Sequence, residues 1–197
     1  MAEHRLTPPL TEAQVRGLRV GDTVTLDGIV FGVRDATLIR IFDRGQAPPV
    51  DLAGAVCLHT APNVKKVGAR YEPVSVGTTT SMRMDRFTEG LLDRYGVRAL
   101  IGKGGLSPES STHLQRRGGV YLAITGGAAA LETTQIEAIE AVWWEDLMPE
   151  CLWKFRVRGL GPLTVAMDAH GGNLYADVQG EARRRLADIL ARLGVKS

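Results

Sequence analysis

The sequence has few of the residues that mark several common classes of protein. Its 197 residues include two cysteines, Cys57 and Cys151, too few and too far apart for a disulfide framework or a metal-knuckle spacing. No apolar stretch reaches the roughly 18 residues of a membrane span, and the charged, proline-containing start lacks the apolar segment of a signal peptide. We therefore expect a cytoplasmic protein with buried free thiols, no membrane association and no metal ligands of its own.

An excess of charge of one sign is also missing. Lys and Arg number 24 against 22 Asp and Glu, a net charge of +2, which is too small to indicate nucleic-acid binding. Hydrophobic residues make up 44% of the chain and charged residues 23%, a composition typical of a globular protein. The length predicts a single domain, over residues 21–197, and Pro8-Pro9 with the short polar segment after them indicate an extended lead-in over residues 1–20.

The hydrophobic pattern predicts an α/β fold. Short apolar strands alternate with amphipathic helices through the middle of the chain, and strands cluster at both ends, which favours a layered α/β domain over a bundle or a sandwich. Towards the C-terminus we expect a strand over 120–125, a helix over 128–142, strands over 152–157 and 162–168, and a closing helix over about 180–193.

Cationic side chains stand in loops that follow three of the predicted strands. Arg34 comes after the first β segment, Arg83 lies just inside a helix start in GTTTSMRMD, and Lys103 lies between glycines in IGKGG. Helix starts and Gly turns expose backbone N–H groups that bind anions, and the arginine fork suits a carboxylate. Because ligands of α/β folds bind at the carboxyl ends of strands, these loops predict a site for a small anion.

The familiar self-sufficient catalytic motifs are missing. The chain has no G-x-x-x-x-G-K-[ST], no complete dinucleotide fingerprint, no H-E-x-x-H and no G-x-S-x-G. His59 and His170 stand beside predicted strand ends, where structural hydrogen bonds are the favoured interpretation. The sequence therefore indicates half of a catalytic centre rather than a whole one.

Taken together, the order and spacing of the motifs resemble the β-type domain of iron–sulfur hydro-lyases, the class I fumarases and L-tartrate dehydratases. The motifs are VRDATLIR, SVGTTTSMRMD, IGKGG, VYLAITGGAAAL, WWEDLMPECLWKFRV and GPLTVAMDAHGGNLY. The resemblance implies a swivelling three-layer β/β/α domain and reversible loss of water from a 2-hydroxy dicarboxylate. It also implies a hetero-oligomer in which an α-type subunit holds a 4Fe–4S cluster and this chain is the separate β subunit.

The resemblance also implies roles for individual residues. The carboxylate-binding arginine falls on Arg34, the Thr-Thr-x-x-Arg motif on Thr79, Thr80 and Arg83, and the lysine of the GKGG motif on Lys103. Thr79 would take part in proton transfer with Lys103 as the cation that its weakly acidic hydroxyl needs. The alternative role for Thr79 is hydrogen bonding to substrate.

One departure from the family pattern concerns the loop that enters this site. The family usually reads Gly-Pro-Thr-Thr, whereas Thr78 replaces the proline here, and the loss of a fixed φ predicts a looser loop. The Ser-Met-Arg-Met run and MPECLW resemble the tartrate dehydratase branch more, and the GGAAAL run fits the fumarase branch equally well. Fumarate or malate, L-tartrate and another acid such as mesaconate therefore remain open as substrates. A non-catalytic dicarboxylate-binding or regulatory module is the alternative from a different class.

Overall fold

The computed structural model describes residues 1–127 and 129–194. These residues form, in order, β1 (Glu3–Leu6), α1 (Glu12–Arg16), β2 (Thr23–Val33), α2 (Asp35–Phe42), β3 (Val56–His59), β4 (Asn63–Val67), β5 (Arg70–Ser75), a 3-10 helix (Ser81–Phe87), α3 (Thr88–Tyr95), β6 (Ala99–Gly102), α4 (Pro108–Arg117), β7 (Val120–Ala123), α5 (Ala129–Thr134), β8 (Ile136–Trp143), a second 3-10 helix (Glu145–Leu147), β9 (Leu152–Met167) and α6 (Leu174–Arg192).

A seven-stranded sheet in the order β1-β2-β3-β6-β7-β9-β8 organises these elements. Strands β2, β3, β6 and β7 run parallel to one another, and β9 runs antiparallel to both β7 and β2. The additional β2–β9 pairing brings the sheet back on itself and gives it a barrel-like form. The short hairpin of β4 and β5 stands apart as a two-stranded sheet.

The parallel strands are buried on both faces, which explains why they read as continuous apolar runs. On β3, Val56 and Leu58 join one core cluster, whereas Cys57 between them joins a second. The second cluster also contains Leu38 of α2 and Leu91 of α3. Because successive side chains of a strand alternate in direction, one cluster fills the barrel and the other lies beneath the helices.

Residues 1–20 contribute to the same core. Strand β1 pairs in parallel with β2, and α1 begins with a capping box between Thr11 and Gln14. Leu10, Val15 and Leu18 are each at most 3% exposed and belong to the barrel cluster. The segment is therefore less extended than its prolines suggest, while the division at residue 20 stays a prediction.

The helix predicted over 128–142 is wrong for most of its length. Helix α5 ends at Thr134, and β8 follows as a partner of β9; Ala128 lies outside the described residues. Glu and Ala favour helices locally, but Ile136, Ile139 and Val142 pack against the barrel cluster when the segment pairs as a strand. Tertiary pairing therefore overrides the local propensity.

Two further boundaries differ from expectation. The strands predicted over 152–157 and 162–168 form one long strand, β9, which contains Gly159 and Gly161 at φ +64° and +145°. Helix α6 begins at Leu174 because the Asn173 side chain accepts hydrogen bonds from the N–H groups of Tyr175 and Ala176. The predicted α/β class is confirmed in its general form. None of the helices in the described ranges is long and apolar enough to cross a membrane.

Candidate functional site

The carboxyl ends of the parallel strands form one edge of the barrel. Arg34 directly follows β2, His59 ends β3, and Lys103 directly follows β6. Val33 is opposite His59, and Leu58 is opposite Ile101. The strand register therefore brings the loops that carry Arg34 and Lys103 to the same edge.

Two of the predicted cations, Arg34 and Arg83, share one carboxylate. Asp35 Oδ2 lies 3.3 Å from Arg34 Nε and 3.2 Å from a terminal nitrogen of Arg83. Glu150 Oε1 lies 3.3 Å from Arg34 Nε, and its Oε2 accepts a 2.8 Å hydrogen bond from Ala36 N at the start of α2. The Arg34 side chain is 22% exposed and that of Arg83 is 53% exposed. The two guanidinium groups are thus held together while part of each stays open to a ligand.

The threonine loop connects the ends of β3 and β6. Thr79 N donates to His59 O at 2.8 Å, and Ser81 N donates to Lys103 O at 2.9 Å. Thr80 and Lys103 form an isolated parallel bridge. The Thr79 side chain is half-buried and that of Thr80 exposed. These backbone bonds place Thr79, Thr80 and Lys103 in one connected segment that continues into Arg83.

A buried hydrogen-bonded chain supports this loop from below. His59 Nδ1 and Ser81 Oγ lie 2.8 Å apart, and Tyr121 OH donates to the same Ser81 Oγ at 2.9 Å. All three residues are at most 1% exposed. Burial lowers the pKa of His59 to about 4, against a smaller opposing effect of Asp35. His59 is therefore a neutral structural residue near pH 7, in line with its interpretation from the sequence.

Gly102 allows the close approach that this chain requires. A Cβ on Gly102 would lie 1.8 Å from Ser81 Oγ, so Ser81 would have to leave its hydrogen bonds to His59 and Tyr121. We expect Gly102→Ala to cost about 2–3 kcal/mol of unfolding free energy, from overpacking and the buried polar groups left unpaired. Urea unfolding measures this cost. Gly180→Ala on α6 is the control, because nothing lies within 4 Å of that position; equal losses in both variants would contradict the packing argument.

Sequence reasoning missed the acidic residues of the site. In the structure Arg34 is the N-cap of α2, and Asp35 lies in the first turn of that helix. Glu150 belongs to the MPECLW motif, yet nothing in that motif indicated a contact with a residue more than a hundred positions earlier. The adjacent opposite charges in VRD could have indicated the ion pair between Asp35 and Arg34. The contact between Glu150 and Arg34 could not be predicted without the fold, because the two residues are far apart in the sequence.

Comparison with known proteins then places the chain in a family. Residues 2–178 match the family described as Fumarase C-terminus. The chain belongs to this family. It is 40% identical over 173 residues to the L(+)-tartrate dehydratase subunit beta of Escherichia coli strain K12, covering 87% of this chain and 86% of the relative. The resemblance predicted from the motifs is thereby confirmed.

Two further relatives extend the comparison. The putative L(+)-tartrate dehydratase subunit beta of Methanocaldococcus jannaschii is 35% identical over 186 residues, covering 92% of this chain and 95% of the relative. The putative fumarate hydratase class I of Geobacillus stearothermophilus is 36% identical over 189 residues, covering 93% of this chain but 36% of the relative. The family thus includes both chains of this length and longer proteins with a corresponding part.

The residues of this chain do not fit the ligand set of an iron–sulfur cluster. Cluster iron is held by thiolates, but Cys57 and Cys151 are free and buried, and burial raises their pKa values to about 12 and about 11. Both thiols therefore stay protonated near neutral pH. Across residues 1–127 and 129–194, no group of three or more His, Cys, Asp or Glu side chains is arranged to hold a metal ion.

Proposed function

We propose that this chain is the β subunit of an iron–sulfur hydro-lyase that reversibly adds or removes water on a small 2-hydroxy dicarboxylate, either fumarate/malate or L-tartrate. The observation that carries the proposal is the pairing of Arg34 and Arg83 through Asp35 at the edge that also bears Lys103. The names of the β-subunit and fumarate hydratase relatives support the reaction class.

In this proposal the two arginines bind one carboxylate of the substrate. Asp35 and Glu150 orient the guanidinium groups before substrate arrives, so little freedom is lost on binding. Removal of a proton next to a carboxylate shifts negative charge onto its oxygens. Arg34 and Arg83 therefore stabilise the transition state more than the ground state, which is the requirement for catalysis.

Thr79 and Lys103 are proposed as the groups that serve the reacting carbon. Backbone hydrogen bonds to the ends of β3 and β6 hold the segment that carries both residues. A threonine hydroxyl is a poor base by itself, and the Lys103 ammonium supplies the positive charge that an ionised Thr79 oxygen needs. Thr80, which is exposed beside them, would bind substrate through its hydroxyl.

The proposal assigns the 4Fe–4S cluster to an α-type partner subunit, because the thiols of this chain do not fit it. The active species is then a hetero-oligomer. We further propose that the barrel and its helices form a swivelling three-layer β/β/α domain over residues 21–197, with 1–20 as its lead-in. Two reduced buried thiols agree with the reducing conditions of the cytoplasm, where we place the protein.

An anaerobic reconstitution tests the proposal. The chain is assayed alone and together with an α-type cluster subunit from the same genome, with malate, fumarate, L-tartrate and mesaconate as substrates. We expect activity only in the mixture, and the preferred acid then names the substrate. No copurification and no activity despite a loaded cluster would overturn the proposal, and dicarboxylate binding by the chain alone would then favour a non-catalytic binding module.

A further inference from the structure

The motif GPLTVAMDAHGGNLY contains a turn that the proposed mechanism does not use. Asp168 directly follows β9 and is 3% exposed. Its carboxylate accepts hydrogen bonds from three backbone N–H groups, those of Val20 at 3.0 Å, His170 at 2.8 Å and Gly172 at 2.9 Å. A Cβ on Gly172 would lie 2.8 Å from Asp168 Oδ2, so the turn closes tightly around this carboxylate. Hydrogen bonds to a buried charge are among the stronger ones in proteins, and they fix the shape of this turn.

The turn also fixes where helix α6 begins. Asn173 forms an isolated antiparallel bridge with Met167, the last residue of β9. The Asn173 side chain accepts hydrogen bonds from the N–H groups of Tyr175 and Ala176 in the first turn of α6. The beginning of α6 is therefore tied to the end of β9, and Tyr175 has a defined place beside the barrel.

The ring of Tyr175 packs against the loop that carries Lys103. A Cβ on Gly105 would lie 2.7 Å from Tyr175 Cδ2 and 2.9 Å from its Cε2, so the ring covers the side of Gly105 from which a side chain would project. Gly105 also has a φ of +76°, a conformation that favours glycine. The Tyr175 ring meets the Tyr121 ring edge to face, with 6.3 Å between the ring centres, and Tyr121 OH donates to Ser81 Oγ. Tyr175 therefore contacts both the Lys103 loop and the buried chain that supports the threonine loop.

The position of the Lys103 side chain depends on the backbone of its loop. Ser81 N donates to Lys103 O at 2.9 Å, and Thr80 forms the parallel bridge with Lys103. The side chain lies beside Gly126, where a Cβ would be 3.0 Å from Lys103 Cδ. Within the part of the chain that the structure describes, no ion pair or hydrogen bond holds the Lys103 ammonium. A shift of the loop would therefore carry the ammonium with it.

We infer that Tyr175 is a positioning residue for Lys103, whose aromatic ring keeps the loop after β6 in the place that brings the Lys103 ammonium to the reacting carbon. The inference rests on the proposed function. Ring carbons make the contact with Gly105, so the ring rather than the hydroxyl should matter. Displacement of a catalytic group by about 1 Å can cost on the order of 100-fold in rate, and loss of the ring would leave the Lys103 loop without its packing against α6.

Kinetics of the assembled α/β enzyme test this role with two substitutions of Tyr175. In Tyr175→Ala we expect kcat to fall roughly 10- to 100-fold, because Lys103 is less well placed. KM should change little, since Arg34 and Arg83 bind the carboxylate from other elements. Tyr175→Phe retains the ring and should keep nearly the parental kcat. A parental kcat in Tyr175→Ala would overturn the inference and leave the proposed function intact.

Tyr95→Ala is the matched control. Tyr95 is also partly buried against the second core cluster, and it meets Phe42 edge to face with 5.7 Å between the ring centres. It ends α3 shortly before β6 begins, whereas Lys103 follows the other end of β6. Urea unfolding should show similar losses of unfolding free energy in Tyr95→Ala and Tyr175→Ala, but only Tyr175→Ala should lose kcat. An equal loss of kcat in the two variants would show general destabilisation and overturn the inference.

Amide hydrogen exchange of the chain alone gives a readout that does not depend on turnover. The reporter is the Ser81 N–H, which donates to Lys103 O. Loss of the ring should loosen the Lys103 loop and speed the exchange of this N–H roughly tenfold in Tyr175→Ala, as expected for a lower free energy of local opening. The exchange rate should stay parental in Tyr175→Phe and in Tyr95→Ala. An unchanged rate in Tyr175→Ala would contradict the inference.

Failure of the inference can be told apart from failure of the proposed function. No turnover by the parent enzyme with any of the acids would overturn the proposed function, and with it the role of Tyr175 in the reaction, whatever the exchange rates. Should Tyr175→Ala fail to fold, Tyr175→Leu decides, because leucine is apolar but has no flat ring to cover Gly105. It should still lower kcat and speed Ser81 exchange, and a parental value of either would overturn the inference.

Discussion

Replacing Arg83 by Ala is expected to lower kcat/KM of the assembled enzyme by roughly 30- to 900-fold, corresponding to about 2–4 kcal/mol. In the proposed mechanism Arg83 provides a charge-assisted contact to the substrate carboxylate beside that of Arg34, so its removal leaves Arg34 to bind this carboxylate alone. Because negative charge grows on that carboxylate during proton removal, kcat should fall as well as substrate affinity. Steady-state kinetics over a wide substrate range separate the two effects.

Arg86 offers a close control for Arg83. It lies in the same 3-10 helix, is similarly exposed, and pairs with Asp43 at 2.6 Å much as Arg83 pairs with Asp35 at 3.2 Å. The loss of a surface ion pair changes stability by less than about 1 kcal/mol, so Arg86→Ala should keep near-parental turnover. Comparable activity of Arg83→Ala and Arg86→Ala would show that Arg83 does not bind the substrate. Arg83→Lys should recover part of the loss but not the bidentate contact.

The cationic half of this site could be predicted from local sequence. Arg34, Arg83 and Lys103 stand beside turns and strand ends, and loops at the carboxyl ends of parallel strands converge wherever such strands pair. The structure places Arg34 and Arg83 on one carboxylate and joins Thr80 to Lys103 through the backbone. Their roles in binding and catalysis stay predictions until the variants are measured.

The acidic half depended on tertiary structure. Glu150 reaches Arg34 only because β9 closes the barrel against β2. The predicted helix over 128–142 also hid the burial of Glu132, which is 3% exposed, because an acid in an amphipathic helix is expected on its solvated face. The helix ends at Thr134 and the chain continues as β8, because pairing with β9 buries apolar groups that a longer helix would expose. Local helix propensity carries no information about whether this segment extends the helix or pairs with β9.

Two buried groups, His59 at the end of β3 and Glu132 on α5, are expected to give the folding stability opposite dependences on pH. The pKa of His59 falls from 6.5 to about 4 on folding, so the unfolded chain takes up a proton first and stability is lost as the pH falls from about 6.5 towards 4. The pKa of Glu132 rises from 4.5 to about 7, so the folded chain keeps its proton longer and stability is lost as the pH rises from about 4.5 to 7. Each effect amounts to about 3 kcal/mol over its window.

Because the two pH windows overlap, the contributions of His59 and Glu132 to the pH dependence of the unfolding free energy nearly cancel between about pH 4.5 and 6.5. A variant that lacks one of the two groups should therefore show the pH dependence that the other group contributes. We expect Glu132→Gln to exceed the parent in unfolding free energy by up to about 3 kcal/mol at pH 8 and to lose this advantage towards pH 4.5. We expect His59→Gln to lose stability relative to the parent as the pH rises from 4 to 6.5. Urea unfolding at half-unit pH intervals measures both differences, and subtraction of the parent curve removes the titration of the remaining acids and histidines.

A pH-independent difference for Glu132→Gln would mean that this carboxyl ionises with an ordinary pKa in the folded chain.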